Sequence, residues 1–289
     1  MNIVTHDERF HADDVFATAL MQIVFGEEAE IKRSRDSVDI ENADIVYDVG
    51  GIYDDSKNRF DHHQKGGSGE RENGIPYAAF GLVWKKWGEK LCGSKHASDI
   101  VDNRLIQVID ARDNGFSTHE KKHEEYTSYS IDTMVKTFLP SWKEEADYDE
   151  RFFKAVDFVR PILEREIELA RHKVEAIPLV EKAYSDAKDK RVIVLDRFIP
   201  WGEVLNMYEE PAFVIAPHLL TGKWNMIAVQ EEGFVNRIDP PMEWRGLYDE
   251  DLQKVTGVSD AVFCHRSGFL CIAESKKGIM KMLNIVLNK

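Results

Sequence analysis

The strongest constraint on the fold is an alternation at the start of the chain. Short apolar runs of β type are separated by segments with helical spacing. Asn2–Thr5 reads as a strand and Asp13–Phe25 as a helix with Val15, Phe16, Leu20, Ile23 and Val24 apolar; Ile31–Arg35 and Ala43–Asp48 read as further strands. Alternation of this kind predicts an α/β fold whose mostly parallel sheet is flanked by helices. His6 directly follows the first run, and Asp48 ends the apolar stretch IVYD at 45–48. Ligands of open α/β sheets bind outside the carboxyl ends of strands, so these two side chains are the first candidate site residues.

Further along, Ala78–Leu91 and Ala97–Ala111 have helical spacing, and Gly115 fits a stop after the second. The glycine-rich stretch KGGSGERENG at 65–74 is expected to be a mobile loop. From Asp147 to about Lys188 the pattern is long and helical, interrupted by Pro161 and Pro178. Short β-type runs follow at Val192–Asp196, Ala212–Ala216, Asn225–Gln230, Ala261–His265 and Leu270–Glu274, closed by a helix from about Lys276 to Val286. The change of texture at 187–190 predicts two domains, 1–188 and a smaller α+β domain at 189–289.

With 289 residues, 43% of them hydrophobic, the chain can bury one large core or two medium ones. Charged residues make up 31%, which predicts solubility, and no apolar run approaches the ~20 residues of a transmembrane helix. The residues at 1–6 read as entering a strand at once, so neither a secretory nor a transit peptide is expected within them. Three cysteines, Cys92, Cys264 and Cys271, lack CxxC spacing and suit packing in a reducing compartment. Cytoplasm is the expected location, with an organelle or the nucleus open in a eukaryotic source. A formal charge of −14 argues against coating of nucleic acid by electrostatics alone. A nuclease stays open, because metal-binding carboxylates inflate the negative count and bound cations reverse its sign locally.

Four of the ten histidines sit in two segments, THDERFHADD at 5–14 and RFDHHQ at 59–64. Asp110 and Asp113, in DARDNG at 110–115, are i,i+3 and share a helix face. Each segment alone has a plain structural explanation. Asp13 and Asp14 could cap a helix, Asp48 could serve a turn, and the histidine pair could decorate a surface. Their coincidence, in segments that end strands or helices, is what points to a metal centre. Imidazole and carboxylate ligands without thiolate suit Mn²⁺ or Mg²⁺, with Zn²⁺ or Co²⁺ as alternatives. Two such ions about 3.5–4 Å apart can clamp a phosphoryl group and acidify water, so no Ser or Cys nucleophile is required.

The tripeptide Asp61-His62-His63 is the signature of the DHH phosphoesterase superfamily, and the chain more closely resembles the melanocyte proliferating gene family. THDERFHADD looks like that family's opening motif, with Asp14 where a glutamate is more usual. RSRD at 33–36, DIVYDVGG at 44–51, RFDHHQ and DARDNG follow in the family's order, as do WRGL at 244–247 and HRSGF at 265–269. The resemblance spans nearly the whole chain. It implies one metal on His6, His11 and Asp48, and a second on Asp13, Asp48, His62 and either Asp110 or Asp113, which spacing does not resolve. It further implies that His63 faces the substrate phosphate and that Asp61 orients a histidine.

A phosphodiester's developing charge needs further donors, for which Arg237, Arg245, His265 and Arg266 are candidates; Trp244 could stack on a base or pack in the core. The implied activity is 3′→5′ hydrolysis of RNA or short oligonucleotides by two divalent ions. The rivals are a metal-dependent pyrophosphatase or small-molecule phosphoesterase, and a non-catalytic regulatory protein with a vestigial metal site. RNA is the expected partner and no membrane is expected. Oligomeric state is left open, a homodimer included.

Overall fold

A computed structural model describes residues 1–116, 129–145 and 147–288. It is an α/β structure of mixed sheets and helices whose contacts divide it into two compact units, Met1–His172 and Lys173–Lys289. The first unit contains β1 (Asn2–Thr5), α1 (Ala12–Phe25), β2 (Glu30–Arg33), α2 (Ser37–Asn42), β3 (Ile45–Tyr47), β4 (Tyr53–Asp54) and β5 (Arg59–Phe60). It continues with α3 (Ala79–Cys92), α4 (Lys95–Val101), α5 (Gln107–Asp113), α6 (Ile131–Lys136) and most of α7 (Tyr148–Asp186).

The sheet order is β2-β1-β3-β5-β4. β1 pairs in parallel with β2 and β3, and β3 with β5, while β4 turns back antiparallel on β5. Ile3, Val4, Ile45, Val46, Tyr47 and Phe60 are buried, as central parallel strands covered on both faces require. The register sets Val4 opposite Val46 and Tyr47 opposite Phe60, so the residues that follow these strands emerge along one edge. Helix α1 is buried from Ala12 to Met21 and packs on α3, with Phe16 and Phe80 5.4 Å apart between ring centres. Burying an aromatic of this size stabilises by about 1.5–3 kcal/mol.

Two helical segments depart from the expected pattern. Between α4 and α5 the chain makes a five-residue π-turn, Asp102–Ile106, inside what periodicity presents as one helix. Helix α7 runs through Pro161 and Pro178, where the sequence pattern predicts interruptions. A proline in a helix removes one hydrogen bond and costs about 3 kcal/mol. Here a buried stripe at helical spacing, Phe152, Val156, Val159, Leu163, Ile167 and Ala170, offsets that cost.

The second unit takes the end of α7 and adds β6 (Val192–Val194), α8 (Gly202–Leu205), β7 (Phe213–Pro217), β8 (Trp224–Ala228), β9 (Gln230–Glu231) and β10 (Val235–Asn236). Helix α9 (Asp249–Thr256), β11 (Ala261–Cys264), β12 (Leu270–Ala273) and α10 (Lys276–Leu287) complete it. Its five-stranded sheet has the order β11-β12-β8-β7-β6, and only β6 and β7 run parallel. Alternation along β7 divides its side chains between two cores. Phe213 and Ile215 pack with Trp244, Ile279 and Met282, whereas Val214 and Ala216 pack with Val180, Val204 and Leu205. Among the described residues, no helix is long and apolar enough to cross a membrane.

Candidate metal centre

His6, Asp48 and Asp61-His62 are the residues that immediately follow β1, β3 and β5, three adjacent parallel strands. The sheet therefore delivers two imidazoles and two carboxylates to one edge. His11, Asp13 and Asp14 arrive at the same edge from the start of α1, and Asp113 from the end of α5.

His6 is buried, and its Nδ1 is 2.9 Å from the carbonyl of Asp7, which leaves Nε2 to face carboxylates. That nitrogen lies 3.2 Å from Asp14 Oδ2 and 3.2 Å from Asp48 Oδ2. On the other side of Asp48, its Oδ1 is 3.3 Å from His62 Nε2, which is itself 3.2 Å from Asp113 Oδ2. Asp48 thus stands between two histidines and offers one oxygen to each. Its backbone φ of +56° is unusual for a residue other than glycine, and such conformations cost about 1–3 kcal/mol.

Three sets of side chains bring potential ligand atoms within 4.8 Å of one another: His6, His11 and Asp14; Asp48, His62 and His63; and Asp13, His62 and Asp113. Asp14 Oδ2, Asp48 Oδ1 and His62 Nε2 are buried, with ion-pair neighbours at 3.2–3.3 Å but no directed hydrogen bond. Buried polar atoms without directed hydrogen bonds are costly, and each of these is a nitrogen or oxygen of the type that hard and borderline cations accept. The donor set fits divalent metal ions.

The electrostatics agree. Burial disfavours protonation of His6, but the carboxylates of Asp14 and Asp48 outweigh it and raise its pKa to about 11. His62 is raised to about 11 in the same way, burial being overcome by Asp113 and Asp48. Burial, followed by the charges of Asp48, Asp113 and Asp110, drives Asp13 well above the carboxylate range. Burial alone would raise Asp48 as well, yet His6 and His62 hold it below that range.

Asp61 organises rather than joins this set. Its Oδ1 accepts from the backbone N–H of His62 (2.7 Å) and of His63 (3.1 Å) and lies 2.7 Å from His63 Nδ1, while Oδ2 accepts from Gly51 N at 2.5 Å. His63 is 61% exposed at the side chain, and its hydrogen bond to Asp61 raises its pKa.

Helix α3 points its first amides at the centre. Asp13 accepts from Ala79 N (3.0 Å) and Phe80 N (2.8 Å), and Asp110 from Gly81 N (3.0 Å). N-cap Ala78 has no side chain to do this, so two remote carboxylates cap the helix. Asp110 also lies 2.8 Å from Arg71 Nη1, and Arg71 is bidentate to Asp102 through Nε (2.9 Å) and Nη2 (2.6 Å). Burial pushes Asp110 up to about 7 despite the opposing charge of Arg71. A Cβ on Gly81 would stand 1.9 Å from Asp110 Oδ2, so only glycine fits there. Asp113, by contrast, faces His62. The stretch 65–74, expected to be mobile, is anchored at buried Arg71, whose guanidinium also stacks 4.1 Å from the Tyr77 ring centre.

Asp14 and Arg71 escaped the sequence reading. Asp14 passed for a capping residue, and its Oδ1 does accept from His11 N at 2.7 Å. Arg71 lies in a loop whose composition carries no signal of burial.

In the second unit, Arg245 Nη2 is 2.9 Å from Asp239 Oδ1, and His265 Nδ1 is 2.8 Å from Ser267 Oγ. Arg266 is exposed. Arg237 spends its Nη1 on the carbonyls of Tyr208 (2.6 Å) and Pro211 (2.9 Å), a chain-bracing arrangement. Trp244 is a core residue, 1% exposed.

Fold and site together define an α/β protein with histidine–aspartate clusters able to hold metal ions at the carboxyl ends of parallel strands. Comparison with known proteins makes this more particular. The chain belongs to the family described as MYG1_exonuc, Uncharacterised protein family (UPF0160), whose model matches residues 2–287. It is 30% identical to the MYG1 protein of Caenorhabditis elegans over 318 residues, which covers 97% of this chain and 93% of that relative. It is 29% identical to the MYG1 exonuclease of Homo sapiens (99% of this chain, 85% of the relative). The MYG1 protein of Chlamydia pneumoniae is 30% identical (99% and 96%).

Proposed function

We propose that this protein is a metal-dependent phosphodiester hydrolase with two adjacent metal positions, acting as a 3′→5′ exonuclease on RNA or short oligonucleotides. The observation that carries the reading is Asp48, whose two oxygens lie 3.2 and 3.3 Å from the facing nitrogens of His6 and His62. A carboxylate so placed is suited to bridge two cations. His6, His11 and Asp48 would hold one ion, with Asp14 beside His6. Asp13, Asp48, His62 and Asp113 would hold the other, and Asp110 would serve as a helix cap paired with Arg71. Bound divalent ions, Mn²⁺ first and Mg²⁺, Co²⁺ or Zn²⁺ as alternatives, supply Lewis acidity toward the phosphoryl group and toward water.

The chain's own groups do the rest. Asp61 fixes the ring of His63 through Nδ1, which leaves Nε2–H available to a phosphate oxygen. Arg245, His265 and Arg266 would receive the remainder of the substrate. The strand order β2-β1-β3-β5, with ligands at the strand ends, supports a DHH phosphoesterase-like catalytic domain at 1–188 followed by a substrate domain at 189–289. The name exonuclease carried by mammalian relatives supports the nucleic-acid substrate.

The test is a hydrolysis panel with Mn²⁺, comparing 5′- and 3′-labelled RNA, DNA, pyrophosphate and nucleoside phosphates for the wild type and Asp48→Ala. Stepwise shortening of RNA from its 3′ end, lost in the variant, is the expected outcome. Turnover of pyrophosphate alone would transfer the protein to the small-substrate class, and activity retained in Asp48→Ala would end the bridging role.

A further inference from the structure

Outside the metal centre, the second unit holds a pair of thiols that its packing alone does not require. Cys264 on β11 is directly opposite Cys271 on β12, with the two sulfurs 3.4 Å apart. The backbone N–H of Cys264 donates to Leu247 and its carbonyl accepts from Gly246, so both main-chain groups turn away from β12. The next residue, His265, donates to Leu270 across the hairpin. Cys264 and Cys271 therefore occupy a position where the two strands exchange no hydrogen bond. Cα atoms at such positions approach to about 4.5 Å, inside the range of about 4.4–6.8 Å that a disulfide spans.

We propose that Cys264 and Cys271 form a redox-active dithiol that closes to a cross-strand disulfide, with hydrogen peroxide as oxidant. Cys264 is the nucleophile. The Cys271 S–H donates to its sulfur and Arg245 adds positive charge, and together these hold the Cys264 thiol below its ordinary range against the effect of burial. The Cys264 thiolate attacks one peroxide oxygen, the O–O bond breaks, and the departing oxygen leaves as water once protonated. The resulting sulfenic acid is attacked by the Cys271 sulfur; the S–O bond breaks, and the hydroxyl leaves as a second water with the Cys271 proton. Two thiols lose two electrons and one peroxide gains them. Both sulfurs are fully buried, so a small oxidant reaches them more readily than a bulky disulfide. Cys92 is the internal control: it has no partner thiol, and burial pushes it up to about 11. The bond would tie the base of the hairpin that carries His265 and Arg266.

The full-length wild type, treated with hydrogen peroxide and then alkylated under denaturing conditions, gives the test by peptide mapping. The expected result is joint loss of two of the three alkylatable thiols, with Cys264 and Cys271 linked within one chain, Cys92 alkylated, and reversal by dithiothreitol. Cys271→Ser should leave Cys264 trappable by dimedone as a sulfenic acid, and Cys264→Ser should leave Cys271 reduced. Because the linkage is read in the unaltered chain, misfolding of a variant leaves the test intact. Oxidation of Cys92 ahead of the pair, or a disulfide that joins two chains, would overturn the assignment.

Discussion

Asp110 and Asp113 are three residues apart at the end of one helix and face different environments. Asp110 meets a fixed cation, Arg71, and the amide of Gly81, so its charge is met inside the protein. Asp113 meets His62, an imidazole whose Nε2 lies 3.2 Å from Asp113 Oδ2 and 3.3 Å from Asp48 Oδ1. One carboxylate faces a permanent charge; the other faces an imidazole, whose charge depends on its protonation. Buried carboxylates are costly in either case, but only the second kind leaves a position that a metal ion can take. The contrast separates a buried carboxylate that builds structure from one that is reserved for a ligand.

Five substitutions would break or sharpen it. Asp48→Ala should have the largest effect, lowering kcat by about 10³-fold or more and abolishing stabilisation of the fold by Mn²⁺, as read by steady-state kinetics and thermal melts with and without metal. Stabilisation by Mn²⁺ that survives in this variant would sink the bridging role. Arg71→Ala leaves Asp110 and Asp102 without their cation and should cost about 3–5 kcal/mol in urea unfolding. That loss should be equal with and without chelator; a loss that appears only with metal would place Arg71 with the centre after all.

Asp113→Ala should weaken Mn²⁺ binding by roughly 10–100-fold, whereas Asp110→Asn should leave affinity within a few-fold and reduce stability instead. Calorimetric titration of both variants decides between the two aspartates, and the reverse ranking would exchange their roles. Gly81→Ala forces a Cβ against Asp110 and should cost about 1–3 kcal/mol, again without regard to metal. Chemical unfolding of that variant is sufficient to check it.

The residues that end apolar strand runs could be read from the sequence, because a hydrophobic run that stops at His6 or Asp48 has a visible terminus. The pairing that brings His62 to Asp48 could not. It depends on β4 and β5, strands of two residues, too short to show a period. An i,i+3 spacing places Asp110 and Asp113 on one face but says nothing about what that face meets. Arg71 and Gly81, remote in sequence, separate their environments. Asp14 was hidden for a different reason: an acidic residue in the first turn of a helix is ordinary, and only its burial beside His6 marks it. The prolines of α7 misled in the opposite direction, since a local penalty was weighed without the buried stripe that outweighs it.

The π-turn at Asp102–Ile106 bears on how this chain tolerates insertion and deletion. A π-turn holds one residue more than the helical turn it replaces, and each residue rotates an α-helix by about 100°. The π-turn absorbs its extra residue within one turn, so deleting one residue there would restore a regular helix with Asp110 and Asp113 close to their present phase. Deleting one from the regular turns of α5 ahead of Asp110 would instead rotate both away from Arg71 and His62. A deletion of the second kind would leave every metal-facing side chain present in the sequence and disconnect two of the aspartates at once. Chain length beyond this turn therefore matters as much as residue identity if the centre is to assemble.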